Sequence, residues 1–294
     1  MMKSIKLWTA LITPMKSDGS IHFDDLEKVV KRQENAGNGI LLIGSTGEGL
    51  ALSDPEKLAV VEFVSKLNLK VPMMVGVGGF NLEVQKNWIE SCNELNIDSF
   101  LLVSPLYSKP GPIGQTEWFN SLMDIAQKPC MIYNIPSRTG VKIPVEVLEK
   151  IQSHKNFWAV KEASGNIEEY QAFKTACPNV PLYSGDDGLT PFFARIGCSG
   201  LVSVSANVWP EATNLYVKKC LSGDTESMLA TWSDAIQAMF MAPNPIPVKV
   251  LLKEKGVIET SCLRAPLTNR EIRDTKRLIK ANELITNWYN QNKK

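Results

Sequence analysis

With 294 residues, 44% of them hydrophobic and 21% charged, the chain is too apolar for disorder and long enough to bury one large core. Thirty-two Lys+Arg against 31 Asp+Glu leave a net charge of +1, which excludes a nucleic-acid or acidic-membrane binder acting through a global field. Two histidines, His22 and His154, are too few for a histidine triad or a multi-histidine metal centre, so proton transfer falls to other groups.

From the N-terminus, Met1-Met2-Lys3-Ser4-Ile5-Lys6 leads into a short mixed segment, and no apolar stretch approaches the roughly 20 residues that span a bilayer. A cytoplasmic protein with no membrane partner is expected. β-rich runs follow at Ile5 to Thr13, Gly39 to Ile43, Val71 to Val77 and Ser99 to Val103, then at Pro129 to Tyr133, Phe157 to Lys161, Val180 to Ser184 and Gly200 to Val204. Helical patterns alternate with them, over 24–36, over 82–95, and from Ser53-Asp54-Pro55-Glu56, where Ser53 and Glu56 suit a capping box. Such alternation implies βαβ units, and eight of them without a long central crossover fit a closed (β/α)8 TIM barrel better than an open α/β sheet. The barrel is expected to occupy residues 1–222. Residues 223–294 carry no strand signal but show helical patterns over 224–241, 246–255 and 268–290, the last opening on a Thr268/Glu271 capping box, and so read as a helical extension. The six cysteines, Cys92, Cys130, Cys177, Cys198, Cys220 and Cys262, lack zinc-site spacing and read as reduced, mostly buried thiols.

Active sites of such barrels lie at the C-terminal ends of the strands. Lys161 stands there, after the apolar run Phe157-Trp158-Ala159-Val160 and before Glu162-Ala163-Ser164-Gly165. Alone, such a lysine is more often one emerging into water or paired with Glu162. A desolvated amine with a lowered pKa, however, attacks carbonyls to form a Schiff base, and the neighbouring strand ends favour that chemistry. Gly44-Ser45-Thr46-Gly47-Glu48 offers two hydroxyls and backbone N–H groups for a small carboxylate, although serine and threonine beside glycine also simply form turns. It is not a Walker loop, and Gly76-Val77-Gly78-Gly79 is not a dinucleotide fingerprint, so no nucleotide cofactor is implied. Tyr133 is either a core aromatic or a proton shuttle beside the lysine. Arg138, five residues past a strand end, can hold a second carboxylate in bidentate geometry or make a surface ion pair. Tyr107, in Ser104-Pro105-Leu106-Tyr107-Ser108-Lys109-Pro110, can serve a neighbouring subunit's site as easily as its own.

These stretches, with Tyr133-Asn134-Ile135-Pro136-Ser137-Arg138-Thr139-Gly140, Ser184-Gly185-Asp186-Asp187, Ser203-Val204-Ser205-Ala206-Asn207 and Asn244-Pro245-Ile246-Pro247-Val248-Lys249, run in order over nearly the whole chain. They resemble the pyruvate-dependent class I aldolase family that includes dihydrodipicolinate synthase and N-acetylneuraminate lyase. Arg138 points to the synthase branch, whereas Ser45 replaces the more usual threonine with a hydroxyl shared by many lyases. The resemblance implies that Lys161 forms an imine with pyruvate, with Thr46 and adjacent amides on the pyruvate carboxylate and the Val202 backbone lining the pocket. It further implies Tyr133, Ser45 and Tyr107 as a proton relay, the last given across a dimer interface, and Arg138 on the carboxylate of L-aspartate 4-semialdehyde. The implied reaction is a condensation in lysine and diaminopimelate biosynthesis giving 4-hydroxy-tetrahydrodipicolinate, without metal or other cofactor, in a homotetramer built as a dimer of dimers. Leu106, Phe80 or Asn81, and Asp54 or Lys57 depart from lysine-inhibited members, implying weak or absent feedback. The alternatives are an aldolase for sialic acid or a keto-deoxy sugar acid on the same scaffold and, less favoured by the retained amine, hydroxyls and tyrosines, a non-catalytic pyruvate-binding barrel.

Overall fold

The computed structural model describes residues 5–226 and 228–293. Eight parallel strands, β1 (Leu7–Ala10), β2 (Gly39–Leu42), β3 (Met73–Val77), β4 (Ser99–Val103), β5 (Cys130–Asn134), β6 (Phe157–Glu162), β7 (Leu182–Ser184) and β8 (Gly200–Ser203), form a closed barrel in chain order. Trp8 closes it by pairing with Gly39 on one side and Val202 on the other. Nearly every strand residue is buried, because one face points into the barrel and the other under the surrounding helices.

All eight expected strands form; most are trimmed at an end, β4 keeps its expected bounds, and β5 and β6 each run one residue further, to Asn134 and Glu162. Val71, Pro129 and Val180 fall outside the ladders because Pro72, Pro129 and Pro181 have no N–H to donate, so pairing begins just after each proline. The first strand stops at Ala10, and beyond it Thr13 has turned away to bond the Gly47 carbonyl from its hydroxyl at 2.7 Å. The barrel interior is filled from below by aromatics, Trp8 against Trp158 and Trp158 against Tyr183, each pair with centroids 5.9 Å apart. Within the barrel, the space left for a ligand therefore lies near the C-terminal mouth.

Beyond the barrel lie helices Leu229–Met239, Ile246–Glu254 and Lys276–Asn292. The last begins eight residues later than its pattern suggests. Thr268 accepts the Arg270 N–H and caps only the 3-10 turn Asn269–Glu271, Ile272 is extended, and Asp274 captures the Lys276 N–H at 2.8 Å. These helices share the barrel's core: Trp232 stacks on Tyr216 at 4.1 Å and meets Trp288 edge-on at 5.2 Å. Among the described residues no helix is long and apolar enough to cross a membrane.

Candidate active site

A cavity of about 640 Å³ opens at the C-terminal ends of the strands, and Ser45, Thr46, Tyr133, Arg138 and Lys161 all line it. Two of the residues singled out from sequence lie elsewhere. Tyr107 is 91% exposed, held in a left-handed turn (φ 66°) with its N–H on the Thr139 carbonyl. The Val202 side chain is fully buried in the barrel interior, and Val204, just past the end of β8, reaches the cavity wall.

Lys161 and Tyr133 are paired neighbours on β6 and β5, and the lysine Nζ sits 4.1 Å from the centroid of the tyrosine ring. Only 5% of the lysine is exposed, and the loss of hydration, with a smaller push from the Arg138 guanidinium, lowers its pKa to about 7 against the pull of Asp187. About half of the amine is then neutral near pH 7. The ion pair with Glu162 does not form, because successive strand residues face opposite ways. Glu162 points outward, where it accepts from Asn134 Nδ2 at 2.8 Å and the Ser164 N–H at 2.9 Å, and burial raises its pKa. Burial likewise raises Tyr133 to about 12, with the nearby Ser45 hydroxyl acting weakly the other way, so the phenol keeps its proton at neutral pH.

Two residues that sequence reasoning left without a role shape the lysine's position. Asp187 is buried and held by the Ser203 hydroxyl at 2.5 Å and the Val204 N–H at 3.0 Å, which fixes the carboxyl group that pulls on the amine, although burial raises its own pKa. Gly185 donates to the Glu162 carbonyl at 2.7 Å, and a Cβ there would fall 2.8 Å from Lys161 Cε and 2.6 Å from Ala163 Cβ. Gly185→Ala is therefore expected to push the lysine chain aside and slow capture of a keto acid about a hundredfold, the cost of a displacement near 1 Å. Borohydride trapping of the adduct over time measures this, and a wild-type rate would show that the lysine tolerates the methyl group.

Arg138 is set by its own turn. Helix Pro136–Thr139 ends on Gly140 in the left-handed conformation (φ 74°), and the buried Thr139 hydroxyl bonds the Val141 carbonyl at 2.6 Å. The facing turn, residues 44–49, is held open by two left-handed non-glycine residues, Ile43 (φ 58°) and Glu48 (φ 55°). Each costs on the order of 1 kcal/mol and persists only under external constraint. Glu48 obtains that constraint from the fully buried Lys249 ammonium and from the Arg264 N–H at 2.8 Å.

A poorly hydrated amine beside a protonated phenol, with hydroxyls on one side and a guanidinium on the other, defines a (β/α)8-barrel enzyme of the lyase kind. Comparison with known proteins narrows the class. The chain belongs to the dihydrodipicolinate synthetase family, whose model matches residues 3–283. It is 49% identical over 287 residues, 97% of either chain, to a 4-hydroxy-tetrahydrodipicolinate synthase of Francisella philomiragia, and 42% identical over 288 residues, 98% of either chain, to one of Wolbachia pipientis. Its fold also matches the crystal structure of the chloride-inhibited dihydrodipicolinate synthase from Acinetobacter baumannii complexed with pyruvate, with TM-score 0.89, 28% identity, and 96% of this chain and 99% of that one covered.

Proposed function

We propose that this chain condenses pyruvate with L-aspartate 4-semialdehyde through an imine on Lys161, giving 4-hydroxy-tetrahydrodipicolinate for lysine and diaminopimelate synthesis. One observation carries the reading: in a chain of this family, a buried amine with a pKa near 7 lines the same cavity as Tyr133 and Arg138. The Lys161 amine adds to the pyruvate C2 carbonyl and water leaves as the imine forms. The imine draws electrons from the methyl group, so loss of a methyl proton gives an enamine without help from a metal or other cofactor. The enamine carbon then bonds to the aldehyde carbon of the semialdehyde, whose own amine displaces Lys161 by transimination and closes the ring.

Thr46 and the adjacent amides would take the pyruvate carboxylate, with the backbone about Val202 beneath it. Tyr133, protonated at neutral pH, would pass protons to and from the reacting carbons and the leaving water, with Ser45 beside it. The exposure of Tyr107 suits a third relay member given to a partner's site, and apolar Leu50 (66% exposed) and Phe80 (70%), on the loops after β2 and β3, suit burial in that assembly, which we take as a homotetramer built as a dimer of dimers. We take residues 1–222 as the catalytic barrel and 223–294 as its extension, in an enzyme of the cytoplasm, where six unpaired cysteines would stay reduced.

The reading is tested by pyruvate consumption with aspartate semialdehyde beside N-acetylmannosamine. Turnover with the semialdehyde alone is expected, and turnover with the sugar alone would overturn the substrate assignment. A pH profile adds a second check. Because the neutral amine is the nucleophile, adduct formation should rise about tenfold per pH unit up to near 7 and level off above about pH 8. A rate still climbing at pH 9 would mean that Lys161 keeps an ordinary pKa.

We further expect weak or absent feedback by lysine. Lys57 and Leu106 line a second cavity of about 360 Å³ beside the first, where the Lys57 ammonium is already paired with Asp54 at 2.9 Å and Leu106 offers no hydroxyl. Unchanged turnover in submillimolar lysine is the expected result, and clear inhibition would contradict it.

A further inference from the structure

We propose that Asn244, from the segment beyond the barrel, is a positioning residue that aims the Thr46 hydroxyl proton at the keto-acid carboxylate; this rests on the function proposed above. A hydroxyl has one proton to give and two lone pairs to receive with. Asn244 Nδ2 donates to Thr46 Oγ1 at 2.9 Å, between two buried side chains, and so occupies a lone pair. Among the described residues Thr46 Oγ1 donates to no protein acceptor, and both residues line the 640 Å³ cavity. The proton is thereby left for whatever acceptor enters. A reversed amide would consume it, leaving the hydroxyl with nothing to offer an anion.

The placement of Asn244 supports the role. It follows Phe240-Met241-Ala242-Pro243, which form one wall of the cavity, and only Pro245 separates it from the helix Ile246–Glu254. That helix also carries Lys249, which pins Glu48 two residues beyond Thr46 and bonds the Cys262 carbonyl at 2.9 Å. The turn is thus gripped at Thr46 and at Glu48 by one helix and the residue leading into it. The barrel itself holds the middle of the turn through the Thr13 hydroxyl on the Gly47 carbonyl. Asn244 Oδ1 is buried without a partner, so the amide is kept in place for its donor end.

The test uses steady-state kinetics and borohydride trapping on the whole enzyme. Asn244→Ala should raise the pyruvate KM about tenfold, as expected for losing one hydrogen bond to a charged group, with kcat and the semialdehyde KM nearly unchanged. Thr46→Val should raise the pyruvate KM at least as much, and adding Asn244→Ala to it should cost nothing more, because the asparagine acts only through that hydroxyl. Multiplying penalties would overturn the proposal, as would a wild-type pyruvate KM in Asn244→Ala. Asn244→Asp keeps the volume should alanine misfold. Its carboxylate can only accept, so the pyruvate KM should rise further than in the alanine variant, and an unchanged value would equally refute the role. Wild-type enzyme that forms no trappable pyruvate adduct would defeat the proposed function itself, whereas trapping by wild type with Asn244→Ala unaffected defeats this inference alone.

Discussion

Lys161→Ala should abolish the borohydride-trapped pyruvate adduct and lower turnover by at least about four orders of magnitude, as removal of a covalent nucleophile does. No other amine can substitute. Lys161 is the only lysine among the described residues that line the larger cavity, and Lys57, on the neighbouring one, is paired with Asp54 at 2.9 Å. The loss should reside in the chemistry rather than the fold. The amine is buried against its hydration preference, so its removal relieves a desolvation cost while the aromatic packing of Trp8, Trp158 and Tyr183 below is untouched. Pyruvate consumption and trapping on a variant with an unaltered circular dichroism spectrum measure this. Condensation near the wild-type rate would mean that the reaction does not pass through this lysine.

Arg138→Ala should reduce kcat/KM for the semialdehyde a hundredfold or more, about 3 kcal/mol, while pyruvate still forms its adduct. The guanidinium stands at the mouth of the cavity on a turn locked by Thr139 and Gly140, across from the turn proposed to hold pyruvate. A two-pronged contact with a carboxylate both binds the second substrate and orients its aldehyde. Arg138 also adds, after burial, to the lowering of the Lys161 pKa. Its removal should therefore raise that pKa and displace the pH profile of adduct formation to the alkaline side. Single-turnover trapping with pyruvate, followed by addition of semialdehyde, separates the two steps. Equal loss in both would show that the arginine supports the structure of the site rather than the second substrate.

Periodicity carried the architecture because each strand is a short apolar run between polar helices, and a barrel in chain order needs no information on long-range pairing. It located strand ends less well where prolines such as Pro72 and Pro181 break the ladder while the apolar run continues. The late start of the last helix has a similar origin: Thr268 and Glu271 suit a capping box, but Asp274 captures the next free N–H and restarts the chain. At the site, Ser45, Thr46, Tyr133, Arg138 and Lys161 were legible because strand-end residues of a barrel converge wherever they lie in the sequence. What spacing could not reveal is the support behind them. Asn244 reaches Thr46 across 198 positions and Lys249 reaches Glu48 across 201, and only the packed extension brings them together. Gly185 and Asp187 stood within a recognised motif, yet their effect on Lys161 depends on the register of β6 against β7. Glu162 shows the reverse error, a sequence neighbour that the pleat turns away.

The most direct test is to treat the wild-type enzyme with pyruvate and borohydride and map the modified peptide by mass spectrometry. The account predicts an N-(1-carboxyethyl) group on Lys161 alone, in proportion to activity lost. Modification of a different lysine, or full turnover with none trapped, would contradict it.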